Sequence, residues 1–519
     1  MDRHPGSGGT ASPAWPSSWS FPPYGVWAGF LATGAADLAA QFAWEGFAAR
    51  HPDTPYAMFW YGGTHTVNYS VLSPPLMAEL GVRTVSVLAG VTGTWLLAVL
   101  LERTLPRVSL WPALLGALGL WANVASGRTT FALGVAFGLA GLLVLSGRPV
   151  RTVGPVRLFA GALGALGALL ATLASPVAGL FLLVAVAGYL LDRQYAKGLV
   201  LALSPAAVVT LTTLLFPFQG EQPMAAHRML TPLILFAAVV WAAPRDWRVV
   251  RAGAALYAVG VVLTYLIASP IGTNVERLPA LFAPAVLLAA LLDPGSGRAR
   301  ATRLTSVPAL ALAVSVYWAT ASTVSDLRVS TTVPAWAEHT DQVIAELDRL
   351  HEDRGRVEVV PARNHREATL FAPHIQLMRG WNRQLDVERG RLFYDGDFSG
   401  PRYHAWLRHW AVGYVVVPNA RPDGPALREG PSSGPGRAGC GRSGGTRTGR
   451  STECVTPSRS PRPRPRSCAR VRRTWCWRYR GPGRRPYVPR AGVYRLTSSY
   501  AAGLSDGHDC RPTRTGPHS

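Results

Sequence analysis

The sequence predicts an α-helical polytopic membrane protein with about eleven transmembrane helices and a small extracytoplasmic α/β module. Three observations lead to this fold class. Hydrophobic residues make up 48% of the 519-residue chain and charged residues only 16%. The apolar residues are concentrated in long runs of the kind that a bilayer span requires. The formal net charge of +23 is distributed unevenly, with +8 over residues 1–322, −1 over 323–429 and +16 over 430–519.

The membrane domain is predicted over residues 24–322, after a Gly/Ser/Pro-rich leader over 1–23 that we expect to be disordered. A break at Pro176 either separates two spans or kinks one, so the count lies between ten and twelve. Gly161, Gly164 and Gly167 recur at every third position, which favours close helix packing. The predicted spans are 24–47, 83–101, 109–125, 130–146, 157–174, 176–191, 199–217, 229–243, 252–269, 279–292 and 304–322.

The basic residues of the loops between spans predict the orientation. With eleven spans and a cytoplasmic N-terminus, one set of loops carries thirteen Arg and Lys residues and the opposite set carries five. Cytoplasmic loops are the basic ones in membrane proteins. The pattern therefore predicts a multi-pass protein of the cell membrane whose module after residue 322 faces outward. The five outer basic residues are Arg50, Arg83, Arg128, Arg228 and Arg277.

The longest predicted outer loop of the membrane domain runs from Glu45 to Val82 and is rich in aromatic, His and Gly residues. Aromatic faces pack on sugar rings, and polar side chains bond hydroxyl groups. Tyr61, His65 and Asn68 are therefore candidate substrate-binding residues. The alternative is an aromatic belt at the membrane interface, followed by a re-entrant helix over 73–80.

Charged residues near the predicted outer surface supply further candidates. Arg128 and Arg277 can each hold a lipid phosphate, because a guanidinium group matches phosphate oxygens in a bidentate way; both are equally explained as ordinary helix-end residues. Glu221 lies in the outer loop between the seventh and eighth spans. Asp37 falls in the middle of the first predicted span, where a carboxylate is costly and normally faces a cavity or a partner.

This layout resembles the GT-C-type membrane glycosyltransferases of high-GC bacteria over roughly residues 24–425. The features that carry the resemblance are the long first outer loop with a carboxylate and the run Phe59 to Leu76, the ten or more spans, and the outward module. The resemblance implies a polyprenyl-phosphate sugar as donor and an acidic base in the first outer loop. Asp53, with Glu45 as substitute, matches that base, although the adjacent acidic pair of many members is absent.

Two other functions remain open. A multi-pass transporter would use Asp37 as the carboxylate that couples proton movement to transport. A non-catalytic scaffold would use the outer module to bind a partner. Substitution of Asp53 or Asp37 by Asn separates the enzyme from the transporter, and no effect of either substitution favours the scaffold.

The predicted outer module over 323–429 combines an amphipathic helix over 334–355, a strand over 357–361, a helix over 403–410 and a strand over 412–418. Its histidines His365, His374 and His404 lack metal-ligand spacing. The sequence therefore predicts no metal site and no cofactor, while a lipid bilayer and a polyprenyl-phosphate sugar are the expected partners.

Residues 430–519 form an Arg/Pro/Gly-rich tail that holds all five cysteines. Its composition is typical of a disordered nucleic-acid-binding arm, but the predicted topology puts it outside the cytoplasm, so we expect no nucleic-acid partner. We hypothesise that the tail is a frameshifted translation of a GC-rich gene. Lys197 is the only lysine, and Gly441–Cys454 can be back-translated so that another frame encodes a closing strand for the outer module. Resequencing the final third of the gene tests this, and an intact frame would refute it.

Overall fold

The computed structural model describes residues 22–105, 109–147, 154–293, 302–351, 354–429 and 492–495. Thirteen helices precede the outer module within these ranges. They are α1 (residues 22–31), α2 (Asp37–Arg50), α3 (Ser73–Leu80), α4 (Val82–Thr104), α5 (Leu110–Ala125), α6 (Thr129–Leu145), α7 (Pro155–Ala174), α8 (Pro176–Leu191), α9 (Tyr195–Leu215), α10 (Ala226–Ala242), α11 (Arg248–Leu266), α12 (Arg277–Leu292) and α13 (Thr302–Ser330).

Six of the described helices are long and apolar enough to cross a membrane: α4, α7, α9, α11, α12 with the turn before it, and α13. Four shorter apolar helices, α5, α6, α8 and α10, lie between them in the chain. The protein is therefore a helical integral membrane protein. The count of eleven spans and the orientation in the membrane stay predictions.

The first apolar run does not form one span, and that prediction is wrong. Helix α1 ends in a π-helical turn at Trp27–Leu31, and the chain then leaves the helical conformation until Asp37. Gly34 and Ala36 adopt positive φ angles of 79° and 54° within this break. Hydropathy cannot reveal such a break, because Gly and Ala count as apolar residues whether or not the backbone is helical.

The boundary at Pro176 separates two helices. Helix α7 ends at Ala174 and Pro176 opens α8, where a missing N–H costs nothing. The hydroxyl groups of Ser70 and Ser73 donate to the Ala174 carbonyl at 2.8 and 3.0 Å. The outer loop thereby satisfies a carbonyl that the helix end leaves without an intrahelical partner. Ser73 also begins α3, which confirms the short helix predicted over 73–80.

The glycine run predicted to allow close helix packing does so at two of its three positions. A Cβ atom on Gly167 would lie 2.8 Å from the Cα of Gly141 in α6, and one on Gly164 would lie 2.9 Å from the side chain of Leu145. A Cβ atom on Gly161 would meet only ordinary contacts, the nearest at 3.9 Å. Helices α6 and α7 therefore approach too closely at Gly141 and Gly167 to leave room for a side chain on Gly167.

We expect Gly167→Ala to destabilise the membrane domain by about 1–3 kcal/mol, because the new methyl group meets backbone atoms that cannot move aside. Thermal unfolding of the detergent-solubilised protein measures the effect. Gly161→Ala makes the same chemical change in the same helix and should leave the unfolding temperature nearly unchanged. Equal shifts for the two variants would contradict close packing at Gly167.

The outer module begins later than predicted, because α13 continues to Ser330. The helix predicted over 334–355 is shorter and consists of a 3-10 turn at Ala335–Glu338 followed by α14 (Thr340–Arg349). The other three predicted elements are confirmed as β3 (Arg356–Val359), α17 (Gly400–His409) and β4 (Val412–Val417). Two short helices lie between them, α15 (Glu367–Leu370) and α16 (Arg383–Arg389).

A three-stranded sheet forms the centre of the module, in the order β3-β4-β5. Strands β3 and β4 are parallel, and β5 (Gly492–Arg495) pairs antiparallel with the other edge of β4. These four residues of the predicted tail are therefore a strand, while the rest of 430–519 lies outside the described residues, as do residues 1–21 of the predicted leader. The reading-frame hypothesis remains open.

The aromatic residues of the first outer loop join the loop to the module. Phe59, Trp60 and Tyr61 are buried in a core that also contains Val357 and Phe371 of the module. The Leu377 N–H donates to the Phe59 carbonyl at 3.0 Å, and the Tyr61 N–H donates to the Leu377 carbonyl at 3.1 Å. The loop residues predicted to form a sugar pocket or an interfacial belt therefore pack against protein. Two short strands, β1 (Tyr56–Ala57) and β2 (Thr64–His65), bracket this aromatic segment.

A buried ionic network holds the second half of the module together. The Arg379 guanidinium donates to Asp386 at 2.7 and 2.9 Å and to Glu429 at 2.6 Å. It also lies 3.8 Å from Glu358, whose side chain is fully buried. Burial opposes ionisation of Asp386, but the Arg379 charge outweighs it, so the pKa of Asp386 lies below its usual range. Burial, and then the Glu429 carboxylate, raise the pKa of Glu358 well above its usual range.

Candidate functional site

The break between α1 and α2 places a carboxylate at the end of the membrane domain that faces the module. Asp37 is the first residue of α2, where the helix dipole favours negative charge. The Ala36 N–H donates to the Asn364 carbonyl of the module at 2.7 Å. Asp37 is therefore not in the middle of a membrane span, and the sequence-based placement is corrected.

Arg128 joins Asp37 to a second carboxylate. Its Nε lies 3.3 Å from Asp37 Oδ2, and its Nη2 lies 3.2 Å from Asp326 Oδ2. Arg128 precedes α6, and Asp326 lies in the last turns of α13, so three distant parts of the chain meet here. One oxygen of Asp37, Oδ1, forms no hydrogen bond with the described chain. The Asp37 and Arg128 side chains keep about a third and a quarter of their surface exposed.

Arg277, the first residue of α12, lies beside this triad. Its guanidinium group is within electrostatic range of Arg128, Asp37, Tyr69 and Asp326, and it stacks over the Phe131 ring at 5.3 Å. In the part of the chain that the structure describes, Arg277 has no ion pair and donates no hydrogen bond. Its N–H donors are therefore available to an anion, whereas Arg128 is already neutralised by two aspartates.

Several buried polar groups around the four charged residues lack partners. Both side-chain amide atoms of Asn123 and the Oε1 atom of Gln41 form no hydrogen bond within the described ranges. The Tyr69 hydroxyl lies beside Gln41 and Thr130 without a well-aligned hydrogen bond. Burial raises the pKa of Tyr69, so its hydroxyl stays a neutral donor. An unpartnered buried polar group costs about 1–3 kcal/mol, so a polar ligand at this position gains hydrogen bonds without competition.

The two carboxylates predicted as bases lie away from this group. Asp53 is exposed in the turn after α2 and makes no polar contact with the described chain. Glu45 is half-buried further along α2, where its Oε1 accepts a hydrogen bond from the Val82 N–H at 3.4 Å. Burial raises the pKa of Glu45, opposed by that hydrogen bond and by Arg83. Glu45 therefore links α2 to the start of α4.

Four predicted substrate-binding residues lie outside this group, and three of them have other partners. The buried Tyr61 hydroxyl donates to the Gly380 carbonyl at 2.9 Å and accepts from the Asn382 N–H at 3.2 Å. The His65 ring packs against Tyr56 and Phe216, each at 4.9 Å between ring centroids. Asn68 lies in a 3-10 turn, and Glu221 accepts a hydrogen bond from Arg391 of the module at 3.2 Å.

Of the predicted residues, the structure brings together Arg128, Arg277 and Asp37. Asp326 and Gln41 were missed by the sequence analysis. Asp326 was assigned to the outer module because the last apolar run ends near residue 322, but no helix-breaking residue follows until Pro334. The lack of a helix breaker before Pro334 was the signal that the last helix extends to Asp326. No sequence signal pointed to Gln41, because it lies inside an apolar run.

No protein-family model matches this chain, and no curated protein is significantly similar to it. In the described ranges, no group of three or more His, Cys, Asp and Glu side chains is arranged to hold a metal ion.

Proposed function

We propose that this protein is a membrane glycosyltransferase that takes a sugar from a polyprenyl-phosphate donor, with Asp37 as the general base and Arg277 as the phosphate anchor. One observation carries the proposal: a carboxylate with a free oxygen and an unpaired guanidinium group lie in the same polar cluster, at the end of the membrane domain that carries the module. The resemblance to GT-C-type enzymes favours the same chemistry and the same side of the membrane.

The arrangement suits a single displacement. Asp37 accepts the proton of the acceptor hydroxyl while the oxygen of that hydroxyl forms a bond to the anomeric carbon of the donor sugar. The bond from that carbon to the donor phosphate oxygen breaks, and the lipid phosphate leaves with the electron pair. Arg277 stabilises the charge on the leaving phosphate. Arg128 holds the other oxygen of Asp37 and so orients the base, while Asn123, Gln41 and Tyr69 are available to bond sugar hydroxyls.

The transporter alternative depended on a carboxylate buried within the first span. The helix break before Asp37 removes that argument, because the residue lies at the end of the membrane domain next to the module. The same break puts Asp37 at the start of the segment that contacts the module, which supports the proposal of an acidic base there.

We expect Arg277→Gln to weaken binding of polyprenyl phosphate about 10–100-fold, because charge-assisted hydrogen bonds contribute about 1.5–3 kcal/mol. Titration of the purified full chain in detergent, followed by native mass spectrometry, measures the affinity. Arg228→Gln is the matched control, since Arg228 lies at the same end but is paired with Glu276 at 2.8 and 2.9 Å. Equal affinities of the wild type and the Arg277 variant would refute Arg277 as the phosphate anchor.

A further inference from the structure

A second candidate binding site lies at the opposite end of the membrane domain, between α10 and α11. Gln384 of the module donates to Gln222, which precedes α10, and to the Pro270 carbonyl, which follows α11. Both helices therefore start or end next to the module, and the turn that joins them lies at their far ends. A 17-residue helix such as α10 is about 25 Å long, so this turn is roughly one bilayer core away from the module.

A cavity of about 470 Å³ opens beside this turn. Its volume falls within the range of about 300–1,000 Å³ that is usual for ligand pockets. It is lined by Ala237, Val240 and Trp241 of α10, by Arg245 of the turn, and by Arg251 and Ala258 of α11. The two arginines lie at the membrane edge, and the two alanines lie about two helical turns deeper. The cavity is therefore cationic at its mouth and apolar along its length.

The positive charge in the cavity is not neutralised by the residues that line it. The Arg251 Nη1 donates to the Ala243 carbonyl at 2.9 Å, which fixes the guanidinium group and leaves its other donors open. Arg245 has no ion pair and no hydrogen bond to the described part of the chain. In the turn and next to it, Asp246 is exposed and Asp192 lies 3.8 Å from Arg248. Neither of them lines the cavity.

We propose that this cavity binds an anionic phospholipid of the adjacent leaflet. The phosphate and anionic headgroup contact Arg245 and Arg251, and one acyl chain runs along Ala237, Val240 and Ala258. Trp241 lies between the two zones, where an amphipathic indole is favoured at a membrane interface. A soluble phosphate would use only the arginines and would leave the apolar wall uncovered. The proposal does not depend on the function assigned to the opposite end.

The test titrates the full-length protein in detergent with phosphatidylglycerol or phosphatidylcholine and counts bound lipid by native mass spectrometry. Each arginine near a membrane surface contributes about 1 kcal/mol, so Arg245→Gln with Arg251→Gln should weaken phosphatidylglycerol binding about 25-fold. Arg248 begins α11 next to the turn and does not line the cavity, so Arg248→Gln removes the same charge nearby and binding should be unchanged. Ala258→Phe fills the apolar wall without altering charge and should also weaken binding.

Three results would overturn the proposal. The first is equal retention of phosphatidylglycerol and phosphatidylcholine by the wild type. The second is an effect of Arg248→Gln as large as that of the double variant, which would indicate nonspecific charge. The third is evidence that the arginines hold a free anion and not a lipid, which either displacement of the lipid by inorganic phosphate alone or unchanged binding in Ala258→Phe would supply.

Discussion

Asp37→Asn is expected to lower the rate of sugar transfer about 10²–10⁴-fold while leaving the affinity for polyprenyl phosphate nearly unchanged. An amide cannot accept the proton of the acceptor hydroxyl, but it keeps the size of the carboxyl group and can still contact Arg128. Loss of the base therefore affects the chemical step, whereas donor binding depends on Arg277. Single-turnover transfer from a radiolabelled polyprenyl-phosphate sugar, together with donor binding, separates the two effects.

Asp53→Asn provides the matched control for this prediction. Asp53 follows α2 and lies in the same segment between α1 and α4, but its side chain is exposed and has no polar contact with the described chain. We expect wild-type transfer in this variant. If Asp53→Asn abolishes transfer and Asp37→Asn does not, Asp37 is not the base and the cluster around Arg128 has another role. If neither substitution changes transfer, the enzymatic proposal itself fails.

Arg379→Met is expected to destabilise the outer module by about 3–5 kcal/mol, the largest stability change among our predictions. Arg379 is buried and is the cation shared by Asp386, Glu429 and Glu358. Its removal takes away the cation that these three buried carboxyl groups share, although Arg383 stays 3.9 Å from Asp386. The methionine side chain fills much of the same volume and can still pack on Phe393, which the guanidinium group contacts at 4.1 Å. The loss of stability therefore measures mainly the removal of the positive charge.

Limited proteolysis of the module across a temperature series measures this effect without requiring unfolding of the membrane helices. Arg349→Met is the control, because Arg349 forms an exposed pair with Glu346 at 2.6 Å within one helix. Exposed pairs contribute between about 0 and 1 kcal/mol, so this variant should behave like the wild type. Similar protease sensitivity of the two variants would mean that the buried network does not stabilise the module.

The sequence alone determined the class of the protein and the position of most of its helices. The lipid around a bilayer span requires a run of apolar residues, so α4 to α13 could be located without tertiary information. The valine-rich run from Val412 to Val417 and the aromatic residues before it likewise identified β4 and α17, because those patterns reflect local burial in the module.

The candidate site was determined only by the tertiary structure. The four charged residues of the site, Asp37, Arg128, Arg277 and Asp326, are far apart in the chain. From the sequence alone, each resembles an ordinary helix-end residue or a charge inside an apolar run. The break at Gly34 and Ala36 brings Asp37 to the end of the bundle, and packing of α6, α12 and α13 brings the other three to it. Hydropathy reports how deeply a residue type prefers to be buried, but which charges face each other depends on helix contacts that no local pattern encodes.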